Sequence, residues 1–184
     1  LTIGKAISLK DDEPVWIQEA DLYREYAGFS VDQRLDFLEA HASTVSLWDK
    51  TILSRVDLLI FKGRLDEAIE LLKNNHFYIA ELTMLNPHNS WSDAHFYRGM
   101  KYLEQKQFDK AIADFEAITI FPRNLEIARD AKTDLASYGL ARVYQALGNK
   151  KQARANFTRL ADIGSTSQGW GENKTSLISY YQAR

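Results

Sequence analysis

One spacing recurs three times in this chain and constrains its fold more than any other feature. In the last copy Leu140 and Ala141 are followed by Tyr144, Gly148, Ala153 and Phe157. The same places hold Arg98, Gly99, Tyr102, Lys106, Ala111 and Phe115 in the middle copy, and Arg55, Val56, Leu59, Gly63, Ala68 and Leu72 in the first. Each copy keeps intervals of 3 from the small residue to Tyr or Leu, 9 on to Ala, and 4 on to Phe or Leu. Intervals of 3 and 4 stack side chains on one helix face, and the central 9 leaves room for a tight turn. Each copy therefore reads as helix, turn, helix, with Ala where the helices cross closely and the aromatic residues filling the space beside it. The composition agrees. The chain has 20 Ala and 21 Leu against 5 Val, with only 9 Gly and 3 Pro, which favours helices over strands. Apolar residues at 45% suffice for a packed core.

This pattern resembles the tetratricopeptide repeat, and six of its eight signature positions are matched in the third copy. Three departures stand out. The usual opening Trp is absent, the small residue is Val56 in the first copy, and the turn Gly is Lys106 in the second. The period is also long: Ala68 to Ala111 is 43 residues and Ala111 to Ala153 is 42, against 34 in the family. The extra residues must lie between repeats. The resemblance implies an all-α, right-handed α-α superhelix, a solenoid of helical hairpins.

The rest of the chain is read against these copies. Residues 1–13 read as the end of a preceding helix, with Ile3 and Ala6 on one face. Pro14 suits the first turn of a helix over Val15–Ala27. Ser30 and Gln33 form a capping-box pattern opening Val31–His41. Together these two helices form a degenerate repeat over about 14–42. The next repeats are expected at about 47–75, 91–119 and 133–163, from helices at Leu47–Lys62, Leu65–Asn74, Trp91–Gln105, Phe108–Ile118, Leu125–Leu147 and Lys151–Ile163. A short helix is expected at Phe77–Met84, a second capping box at Ser90 and Asp93, and a partial C-terminal helix at 175–183 after the turn Gly164–Gly171. The whole, 1–184, is expected to be a single repeat domain of a longer protein. Exposed solenoid ends would favour self-association.

The segments Leu35–His41, Arg64–Phe77, Asn86–Met100 and Phe121–Arg129 occur in an order similar to the C-terminal repeat region of large bacterial proteins. Those proteins pair such repeats with an upstream β-sandwich resembling sugar mutarotases. This resemblance implies a non-catalytic helical part of a larger, carbohydrate-related protein.

Charge and motif content exclude several classes. Lys and Arg total 23 against 25 Asp and Glu, a net charge of −2, with no basic excess for nucleic acid. No apolar run approaches the roughly 18 residues that span a bilayer. Zero Cys removes disulfides, thiolate catalysis and Cys-ligated zinc, and fits cytoplasm and periplasm alike. No phosphate loop, nucleophile elbow or zinc-protease motif is present, so no enzyme activity and no cofactor are expected. His76, His88 and His95 lie near Glu81 and Asp93, but their spacings match no ligand motif, and no metal is expected.

Two sets of residues remain as candidate contacts. The first helix of each hairpin in such a solenoid lines the concave face. That geometry selects Leu53, Asp57 and Ile60 in the first copy, Phe96, Met100 and Leu103 in the second, and Tyr138, Arg142 and Gln145 in the third. Family members that grip carboxylate tails use Lys and Asn at these places. The apolar character here suits instead an apolar peptide or a neighbouring domain of the same chain, unless the chain's own inter-repeat segments fill the groove. The second set is a loop containing Asn86, His88, Trp91 and His95. Trp91 either offers a sugar or a domain a flat face, or staples its helix to the previous repeat. The sequence thus supports a non-catalytic scaffold for protein–protein or interdomain contact. Its alternative is an accessory domain that shapes the cleft of a carbohydrate-active enzyme.

Overall fold

The computed structural model describes residues 13–77, 86–125 and 132–166. Among the described residues every regular element is helical and none is a strand. The chain groups into two compact units, Leu1–Pro87 and His88–Arg184. The helix end expected over 1–13, apart from Glu13, and the helix expected over 175–183 lie outside the described residues, as does that over Phe77–Met84 apart from Phe77.

Unit 1 contains α1 (Pro14–Tyr26), α2 (Val31–Ala40), the short α3 (Ala42–Val45), α4 (Asp49–Phe61) and α5 (Leu65–Asn74). Pro14 opens α1, where its missing N–H costs nothing. The capping box at α2 forms as expected: Ser30 Oγ accepts from the Gln33 amide at 3.3 Å, and Gln33 Oε1 accepts from the Ser30 amide at 2.9 Å. The helix α4 packs against α1, α2 and α5, so it is apolar nearly all round, with Ile52, Leu53, Val56, Leu58, Leu59 and Ile60 buried. Its partner α5 is two-faced, turning Leu65, Ala68, Ile69 and Leu72 inward. A buried ion pair joins α1 to α2, where the Arg34 guanidinium donates to both Asp21 carboxylate oxygens at 2.9 and 2.8 Å.

Unit 2 contains α6 (Pro87–Glu104), α7 (Phe108–Ala117), a 3-10 turn at Arg123–Leu125, α8 (Thr133–Ala146) and α9 (Lys150–Thr166). Its core is Ala111, Phe115, Ile118, Ala136 and Val143. Three boundaries in this unit differ from expectation by three residues or more; one is that α9 runs to Thr166, into the turn expected at Gly164–Gly171. The helix expected from Trp91 begins at Pro87, because proline at the first helical position is as favourable here as at Pro14. The helix expected from Leu125 does not run through to 147, since Lys132 is non-helical and α8 starts at Thr133.

The hairpin turns share one backbone solution. Gly63, Lys106 and Gly148 all adopt positive φ, at 73°, 58° and 72°. In each, the following amide reaches back across the helix end: Arg64 to Leu59, Gln107 to Tyr102 and Asn149 to Tyr144, at 2.8–2.9 Å. Gly28, with φ 79°, makes the same turn between α1 and α2. Lys106 alone holds this conformation with a side chain. Lys106→Gly is therefore expected to raise stability by about 0.5–1 kcal/mol, seen as a higher urea midpoint at unchanged slope. A lowered midpoint would contradict this reading of the turn.

Candidate functional site

Two features of unit 2 bear on function: a wall shared by α6 and α8, and a buried polar cluster behind it. The wall depends on how closely the two helices approach. The Phe115 ring of α7 has its Cδ1–Cε1 edge against both Gly99 on α6 and Gly139 on α8. A Cβ at Gly99 would stand 2.7 Å from the ring, and one at Gly139 only 2.3 Å. Glycine at both places lets the ring wedge between the helices with no exposed surface. The rings of Phe96 and Tyr138 consequently meet, with centroids 6.3 Å apart.

Phe96, Met100 and Leu103 are half-buried against the core cluster, and Tyr138 is half-buried beside them. Arg142 and Gln145 are exposed, one and two turns further along α8. Arg142 is held by its neighbour: its guanidinium lies 5.7 Å from the Tyr138 ring centre and donates to the Tyr138 hydroxyl at 2.8 Å. Among the described residues it makes no ion pair. Of the candidate contact residues, Phe96 thus meets Tyr138, Arg142 lies on Tyr138, and Met100 and Leu103 pack on the same core cluster as Phe96. Leu53, Asp57 and Ile60 of the first copy are instead buried, with 4%, 8% and 5% exposure. They belong to a helix packed on three neighbours, and they offer almost no surface.

The expected loop with Asn86, His88, Trp91 and His95 is corrected by the early start of α6. Asn86 is exposed just before the helix, whereas His88, Trp91 and His95 are helical and buried. Trp91 turns its edge to its own hairpin, donating from Nε1 to the Ala117 carbonyl at 2.8 Å. Its ring lies 4.2 Å from that of His95. His88 meets Phe121 edge-on at 4.7 Å. Ser90 sits in the first turn of α6, so it cannot cap a helix starting at Trp91. Asp93, assigned with it to a capping box, is 1% exposed and accepts from Lys132 Nζ at 2.8 Å.

The polar cluster centres on Asp114, which faces inward from α7. The His95 Nδ1–H donates to Asp114 Oδ1 at 2.7 Å; the carboxylate acceptor fixes this nitrogen as the donor. Arg98 completes a fork, from Nε to Oδ2 at 2.9 Å and from Nη2 to Oδ1 at 2.7 Å. Burial alone would raise the Asp114 carboxyl, but the bonds from His95 and Arg98 and the Arg98 charge hold it below its ordinary pKa. Burial beside Asp93 pushes the Tyr97 hydroxyl above its usual range. Both histidine and carboxylate are about 95% enclosed, so this dyad braces α6 on α7 and is not presented to a substrate. Among the described residues no three His, Asp or Glu side chains are arranged to hold a metal ion; Glu81 lies outside them. No described helix is long and apolar enough to cross a membrane.

Residues 135–163, spanning nearly all of α8 and most of α9, match the family model of the tetratricopeptide repeat. The match supports a tetratricopeptide-repeat protein, and such repeats generally mediate protein–protein interaction as scaffolds. No curated protein and no solved structure matches the chain.

Proposed function

We propose that the chain is a non-catalytic interaction module that takes a peptide segment along the wall of α6 and α8. The observation that supports this most is the meeting of Phe96 and Tyr138 beside Arg142, a guanidinium that is positioned by Tyr138 and has no carboxylate partner among the described residues. Half-buried aromatic and aliphatic side chains supply apolar contact area, and the cation supplies direction. The segment that fits is apolar with one acidic residue placed to reach Arg142. It comes from another protein or from a neighbouring domain of the same polypeptide. In the alternative, an accessory role beside a carbohydrate-active domain of a larger bacterial protein, Asn86, His88, Trp91 and His95 were the contact residues. His88, Trp91 and His95 are buried, and of the four residues assigned to that contact Asn86 alone is exposed.

The test is a peptide-display selection on the full chain, followed by affinity measurements on variants. Phe96→Ala with Tyr138→Ala is expected to weaken a selected peptide by about tenfold or more while helix content is retained. Arg142→Glu, at an exposed position, is expected to abolish the preference for an acidic residue without loss of stability. Selected peptides that bind all three proteins equally would place recognition elsewhere.

A further inference from the structure

The second helix of every hairpin opens on three residues that share one face, at intervals of 4 and 3. In α5 these are Leu65, Ile69 and Leu72, all buried. In α7 they are Phe108, Ile112 and Phe115, the first two half-buried and the third fully enclosed. In α9 they are Lys150, Arg154 and Phe157, and all three are exposed, Phe157 at 38%. The third copy thus keeps the aromatic wedge and replaces the two apolar residues before it with cations. Lys151 and Arg159 add two more on the same helix. None of the four cations makes an ion pair with a described residue.

Within unit 2 the corresponding stripe of α7 already has an occupant, and it shows what the exposed stripe is shaped to receive. Phe115 is covered by α8 because Gly139 leaves room for the ring edge. We propose that Lys150, Arg154 and Phe157 form a docking face for an acidic amphipathic helix of another protein, laid over Phe157 as α8 is laid over Phe115. The aromatic requires a small residue opposite it, as Gly139 is opposite Phe115. The cations require carboxylates within a turn of that residue. Charge selects against the other occupants. A further hairpin resembling the chain's own would press residues like Leu135 and Ala136 onto Lys150 and Arg154 and desolvate them unpaired. The segment 175–183 contains no acidic residue. A second copy of the same stripe would oppose like charges. This face is separate from the α6–α8 wall, so variants on one face test its reading without disturbing the other.

The probe is a synthetic amphipathic helix with a central Gly and Glu one turn to either side, titrated into the full chain by fluorescence anisotropy. Saturable binding that weakens with added salt is expected. Arg154→Glu and Phe157→Ala should each weaken it by about tenfold, while Phe96→Ala with Tyr138→Ala leaves it unchanged. A Lys-for-Glu peptide should bind Lys150→Glu/Arg154→Glu better than it binds the wild type. The proposal is overturned by any of four results. The wild type does not bind, and the stripe is a solvated cap. Binding is indifferent to Arg154→Glu. Binding appears only after residues 175–184 are deleted. Sedimentation shows a dimer that Phe157→Ala dissolves, which makes a second copy the occupant.

Discussion

Gly139→Ala is expected to destabilise unit 2 by about 1–3 kcal/mol, although alanine in a helix interior is ordinarily favoured over glycine by about 1 kcal/mol. The two effects oppose each other, and sterics decide. The new Cβ would lie 2.3 Å from Phe115 Cδ1 and 2.5 Å from both Cε1 and Cγ. The ring cannot retreat, because the same edge abuts Gly99 and the side chain has 0% exposure. Either α8 moves off α7 or the ring leaves its rotamer, and both disturb the core around Ala136 and Val143. For a unit of this size the loss corresponds to a melting temperature lower by about 4–8 °C per kcal/mol. Phe115→Leu shortens the wedge. The double variant should therefore lose less than the sum of the two single losses, a coupling that a double-mutant cycle measures directly. If Gly139→Ala melts at or above the wild-type temperature, the close approach of α6 and α8 around Phe115 is wrong. The α6–α8 wall built on it would fall as well, since Phe96 and Tyr138 meet only because the helices come so near.

Gly139 also illustrates which parts of this molecule can be read from sequence. The hairpins were legible because their signal is repeated: Ala68, Ala111 and Ala153 fall in one register, and each is buried. The turns were legible at Gly63 and Gly148, and even Lys106 obeys the register with φ 58°. Gly139 belongs to no repeated position, and the repeat register therefore did not single it out. The start of α6 was missed because the Asn-rich run around Pro87 was read as a loop. The rule that placed Pro14 at the first turn of α1 applies equally to Pro87. That one displacement turned an expected exposed patch into the buried side chains of His88, Trp91 and His95. On the wall, the repeat register located Phe96, Met100, Leu103, Tyr138 and Arg142 on adjoining helices. It failed for Leu53, Asp57 and Ile60 because helix spacing does not report how many neighbours a helix has. Asp114 left a trace that periodicity could have caught: a carboxylate directly before Phe115, at the position of Leu71 in the first copy and Asn156 in the third.

Removing that carboxylate is the second large effect expected. Asp114→Ala leaves the Arg98 guanidinium and the His95 ring without the acceptor that both donate to, and breaking a buried pair from one side typically costs about 3–5 kcal/mol. Arg98 retains 20% side-chain exposure and can turn partly to water, which places this case toward the lower end. The pH dependence has a definite sign. The folded pKa of Asp114 is depressed, so the stabilisation is fully present above the ordinary Asp value of about 4 and is lost as pH falls through the folded value. The stability gap between wild type and Asp114→Asn should therefore be widest near neutral pH and close below that value in acid. Chemical denaturation at a series of pH values measures the gap, and one that stays constant into acid would exclude the carboxylate as its source. The apolar exchange His95→Ile with Asp114→Leu, which installs the residues found in register in the first copy, should recover much of the loss, because no buried acceptor or imidazole is then left to satisfy. Recovery would mean that the polar brace fixes how α6 sits on α7 more than it adds net stability. Its effect would then appear in recognition: the exchanged protein, though stable, should bind a wall-directed peptide less tightly, because Phe96 and Met100 project from the helix that Asp114 holds in place.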